Sequence, residues 1–96
     1  MIKVYHNPNF INKNPQDFMK AELVAEVMDD DLEVAYMLTN HIDESWWKHP
    51  NVKCIKESRS TSVGDFMVKD GEWYIVAPVG FDKIDTTVSA GYRENS

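Results

Sequence analysis

The first signal along the chain is alternation. Ile2-Lys-Val-Tyr5 sets apolar against polar positions at a period of two and predicts a strand. His6 to Pro15 is rich in Asn and Pro, both turn formers, and reads as a loop whose Phe10 and Ile11 fold back over the edge of the core. Residues 16–28 carry two conflicting patterns. Pro15 with Asn14 as its cap would open a helix, whereas Leu23, Ala25 and Val27 against Glu22, Val24 and Glu26 keep a strand period. A fresh helix start just beyond favours the strand: Asp30 can cap, and Glu33 stands three residues later, as in a capping box. The helix then runs over residues 31–40. Leu32, Ala35, Tyr36 and Thr39 form its stripe, Val34 and Leu38 widen it, and Asn40 supplies the stop.

A connection from His41 to Pro50 leads to another alternating run, Val52 to Ile55. Lys56 to Ser62 is polar and loop-like. Phe66–Lys69 and Trp73–Val76 flank Asp70-Gly71, a strong hairpin signal, and Pro78 and Gly80 break or bulge the second strand. Phe81 to Ile84 suits a last short strand or turn. Val63, Phe66, Val68, Tyr74 and Val76 are expected to be buried. Met67 and Trp73 then face the other way, and covering Trp73 would need the helix or a partner subunit. Gly64 is expected at positive φ or at a close approach, with Asp65 bonding the turn.

These elements predict an α+β fold: a small, curved, mostly antiparallel sheet of four to six strands with one packed helix. A small open barrel with an appended helix is the alternative. Residues 1–85 read as a single domain and 86–96 as a C-terminal tail.

Composition changes this picture only in its electrostatics. Ninety-six residues with 43% hydrophobic and 27% charged positions describe an ordinary small domain, but the net charge of −6 is high for that length. It weighs against nucleic-acid binding, which needs cations on phosphates, and suits a basic partner. Cys54, the single cysteine, rules out an internal disulfide and fits a reducing setting, as a buried structural thiol. No apolar run has membrane-spanning length and the start lacks signal-peptide character, so a cytoplasmic location without membrane partners is expected.

Charge is also uneven. Residues 17–47 hold nine acids against Lys20, and residues 48–60 hold Lys48, Lys53, Lys56 and Arg59 against Glu57. Asp29, Asp30, Asp31 and Glu33 could form an interaction face, even a DNA-mimicking one, or could simply cap a helix and be solvated. Trp46 and Trp47 must point different ways. One anchors the loop, and the other is then a candidate interface anchor unless both tuck under. Arg59, Ser60, Thr61 and Ser62, beside Lys53 and Lys56, are anion-binding candidates, although no phosphate-loop motif accompanies them. His41, Asp43 and His49 match no strong zinc signature, so no metal and no cofactor are expected. No Ser-His-Asp or Cys-His arrangement is readable.

Leu38-Thr-Asn-His-Ile-Asp43 with Trp46-Trp47, then Arg59-Ser-Thr-Ser-Val-Gly-Asp65, then Val79-Gly-Phe81 form a pattern over about half the chain. In this pattern the chain resembles a family of small accessory proteins of tailed bacteriophages and of bacterial, notably actinobacterial, genomes. No catalytic residue set comes with the resemblance. What it implies is a phage or prophage product that acts by binding a host or phage protein. The expected function is therefore a non-enzymatic protein–protein interaction that inhibits or redirects a host factor, with homodimerisation possible. The alternative is a small anion, nucleotide or nucleic-acid binding module built on the Arg59–Ser62 loop. A hydrolase built on His41, Asp43 and His49 ranks third.

Overall fold

The computed structural model describes residues 1–40 and 45–86. Among these residues six strands form one antiparallel sheet: β1 (Ile2–His6), β2 (Glu22–Val27), β3 (Val52–Cys54), β4 (Phe66–Lys69), β5 (Glu72–Val76) and β6 (Phe81–Lys83). Their order is β3-β2-β1-β4-β5-β6, so β3 and β6 are the edge strands and, among the described residues, the sheet does not close into a barrel. Among the described residues the one α-helix element, α1, spans Leu32–Thr39. No helix among the described residues is long and apolar enough to cross a membrane.

Both patterns read in residues 16–28 are present, one after the other. Asn14 accepts from the Gln16 N–H and Pro15 opens a 3-10 segment, Pro15–Lys20, before the alternating residues become β2. The helix cap lies one residue later than expected. Asp31, not Asp30, caps α1 by accepting from the Glu33 N–H at 2.9 Å. Asp29 accepts from the Asp31 N–H, and Asp30 takes the Met1 ammonium at 2.7 Å.

Each sheet face has its own cover. Ile2, Val4, Ala25, Val27, Val52, Met67 and Val76 pack against Ala35 of α1 and against Trp46. On the opposite face Phe66, Ile75 and Ile84 pack with Tyr5, Phe18, Ala21 and Trp73. This second layer corrects the expected burial of the hairpin. Phe66 and Val76 are buried, but Val63, Val68 and Tyr74 are only half-buried, while Met67 and Ile75 are buried. Trp73 needs neither helix nor partner, because Phe18 of the 3-10 segment and Tyr5 of β1 cover it, with centroids 5.3 and 4.6 Å away. The β4–β5 turn has positive φ at both Asp70 (52°) and Gly71 (78°), the pattern of a type I′ hairpin.

Candidate functional site

The Arg59–Asp65 segment folds onto the C-terminal end of β1 and satisfies its own polar groups. Asp65 is fully buried. Its carboxylate accepts from Arg59 Nη1 and Nη2 at 2.6 and 2.7 Å, from the Asn7 N–H at 2.8 Å and from the Ser62 N–H at 2.8 Å. Arg59 also donates to the Asn7 and Ser60 carbonyls and lies 3.8 Å over the Phe10 ring. Gly64 has φ +97°, and a Cβ there would run into the Phe10 carbonyl oxygen. Positive φ and close approach therefore both hold at one residue.

A Ser, a His and an Asp do meet here, which sequence reasoning missed. His6 Nδ1 lies 3.2 Å from Ser58 Oγ, and Nε2 lies 3.0 Å from Thr61 Oγ1 and 3.9 Å from Asp65 Oδ2. Burial lowers the His6 pKa to about 4, outweighing the pull of Asp65, and Arg59 pushes the same way as burial. The imidazole is thus neutral near pH 7. The only sequence signal for this meeting was His6 ending an alternating strand on the same face as Ile2 and Val4. The arrangement places a hydroxyl on each ring nitrogen and gives the aspartate to an arginine and two backbone amides. It holds the loop and β1 together.

This geometry disposes of several candidate residues. The Arg59 guanidinium is committed to Asp65, and Thr61 is buried against His6. Ser62 gives its N–H to Asp65, and Ser60 is half-buried beside Arg59. Two lysines of the basic strip face acids of β2: Lys56 pairs with Glu22 at 2.7 Å, and Lys53 lies 3.9 Å from Glu26. Trp46 is 2% exposed and donates from Nε1 to the Ser58 and Arg59 carbonyls at 3.1 and 3.2 Å. It is the anchor of the pair, and its indole faces the core. Trp47 stands edge-on to it, half-buried, with centroids 5.5 Å apart. Cys54 is half-buried rather than buried. Burial and then Glu57 raise its thiol pKa, which makes it a poor nucleophile. Of the His41, Asp43 and His49 set, the first two lie outside the described residues, and His49 Nδ1 accepts from the Asn51 N–H.

A different place is open. Between α1 and the β5–β6 turn runs a groove of ≈ 440 Å³. Val34, Tyr36 and Met37 of α1 form one wall, and Ala77, Pro78 and Phe81 form the other, with Val63 and Val76 between. Tyr36 and Phe81 meet edge to face across it, with centroids 6.3 Å apart. Met37 is 59% exposed, and Val79, at the turn, is 91% exposed. Asp31 and Glu33 bring carboxylates to this groove, so two of the four acidic candidates belong to it, whereas Asp29 and Asp30 do not line it. The chain matches no family model, no curated protein and no solved structure.

Proposed function

We propose that this chain is a non-enzymatic interaction module of the phage accessory type, whose docking site is the groove between α1 and the β5–β6 turn. One observation carries the reading. The groove is an apolar trough that keeps Met37 in solvent and sets two carboxylates beside it. The His6–Arg59–Asp65 cluster, by contrast, spends its polar groups internally. A partner that fits the groove brings an apolar side chain flanked by Lys or Arg, in keeping with the net charge of −6. In the accessory role such a partner is a host or phage protein whose activity is inhibited or redirected.

The test compares variants on one captured partner. Wild-type protein immobilised in host lysate should retain a specific protein. Met37→Ser combined with Glu33→Lys should release it, while Trp47→Ala and Lys53→Glu should not. Retention unaffected by the groove variant, or no specific retention by wild type, overturns the proposal.

A further inference from the structure

The two sheet edges differ, and the difference says how a partner would bind. Along β5–β6 the Ile84 N–H donates to the Trp73 carbonyl at 2.8 Å, and the Ala77 N–H donates to the Gly80 carbonyl at 3.1 Å. Tyr74 stands opposite Lys83, and Val76 opposite Phe81. Hydrogen-bonded and non-hydrogen-bonded pairs alternate in an antiparallel ladder. Residues 80, 82 and 84 therefore bond inward to β5, and the N–H and C=O groups of Phe81 and Lys83 point outward from the sheet. No described residue bonds them. At the other edge, the Val52 N–H of β3 is already taken by the His49 carbonyl, and Trp46–Lys48 packs beside that strand.

The open edge is continuous with the groove. Phe81 supplies the outward backbone groups of β6 and also lines the trough. Lys83, the cation of β6, pairs with Glu72 at 2.9 Å. The charges left on the groove are Asp31 and Glu33. We infer that β6 takes an extended basic segment of a partner protein as a seventh strand, with a large apolar side chain of that segment entering the groove and Lys or Arg two positions either side meeting the carboxylates. In this mode main-chain bonds to Phe81 and Lys83 supply affinity that tolerates sequence, and the groove supplies choice. The inference rests on the groove being the docking site.

The probe is a fluorescein-labelled synthetic heptapeptide in which Lys, Phe and Lys alternate with Thr, so that the three share one face of a strand. Its companions are a version with Glu for both Lys and two versions N-methylated on alternate backbone amides, one of each parity. Fluorescence anisotropy on the full chain should show saturable binding by the Lys peptide and at least tenfold weaker binding by the Glu peptide. One N-methyl parity should lose at least tenfold and the other less than about threefold. Amide hydrogen exchange at Phe81 and Lys83 should slow on binding. Met37→Ser should weaken the Lys peptide without altering the parity preference.

If binding falls with Met37→Ser and Glu33→Lys but both N-methylated peptides bind alike and Phe81 and Lys83 gain no protection, strand addition is overturned and the groove reading stands. Equal binding of the Lys and Glu peptides, or protection at Val52 and Cys54 instead, overturns the assignment of segment and edge. Absence of binding by every peptide also overturns it, and the groove is then judged by partner retention alone.

Discussion

The Arg59–Asp65 loop and the groove beside α1 are opposites. The loop holds a buried carboxylate with four hydrogen bonds, an arginine in an ion pair and a neutral histidine between two hydroxyls. The groove holds a solvent-exposed methionine, a tyrosine edge-on to a phenylalanine and two carboxylates. Residue types that suggest chemistry are gathered in the first and consumed by folding. Apolar residue types that suggest no chemistry are gathered in the second and left available, beside Glu33 and an Asp31 that also caps α1. A segment dense in Ser, Thr, Arg, Gly and Asp is therefore not a site until its bonds have been accounted for, because buried polar groups must be paired and such pairing uses these same residues.

The sharpest way to break this contrast is at Gly64. Left-handed strain and overpacking against the Phe10 carbonyl contribute about 1–3 kcal/mol each, so Gly64→Val should destabilise by roughly 4 kcal/mol in urea unfolding. A variant that unfolds like wild type but loses partner binding would return the loop to the rank of functional site. Asp65→Ala is next. It strands the Asn7 and Ser62 amides and leaves a half-buried Arg59 without its partner, for a loss of roughly 3 kcal/mol.

His6 gives a smaller, pH-dependent effect. Its folded pKa of about 4 lies below the ordinary 6.5, so between these values the unfolded chain binds the extra proton. Its contribution is complete above pH 6.5 and is lost as pH falls towards 4, amounting to about 2 kcal/mol by pH 5. Chemical denaturation at pH 7 and pH 5 should show that slope, and His6→Gln should flatten it. The smallest effect on stability belongs to the groove. Met37→Ser should change unfolding free energy by less than about 0.5 kcal/mol, since the side chain stands largely in solvent. A large loss of stability there would mean that Met37 serves the core and not a partner.

Much of the fold was legible because its signals are local. Alternation marked β1. Asp70-Gly71 marked a turn that needs two positive φ values, and a cluster of acids marked the entrance of α1. The cap itself, Asp31 rather than Asp30, was not settled by pattern, because three adjacent aspartates offer equivalent caps until the chain's path selects one. The double character of residues 16–28 was also genuine. A cap followed by Pro starts a turn of helix, alternation starts a strand, and the chain does both in succession. What could not be read was which face each residue meets. Trp73 is covered by a segment more than fifty positions earlier, and that second cover changes which hairpin residues are buried. The groove was illegible for the same reason: its walls are a helix and a distant turn, and the Val79-Gly-Phe81 pattern in that turn names no binding chemistry. Of its lining, only Asp31 and Glu33 had been named as interaction candidates.

The strand order has a consequence for how the molecule is made. β1 stands at the middle of the sheet, with Ile2 opposite Val27 on one side and Lys69 on the other. The first seam can close early, from neighbouring segments. The second joins the two ends of most of the described chain, so loop-closure entropy is spent before any ladder bond rewards it. A three-stranded β3-β2-β1 precursor would then carry an unpaired, largely apolar edge at what becomes the centre of the molecule. Truncation before Phe66 should leave that edge permanently bare and the fragment prone to self-association, with Lys3 the one lysine of β1 to discourage it.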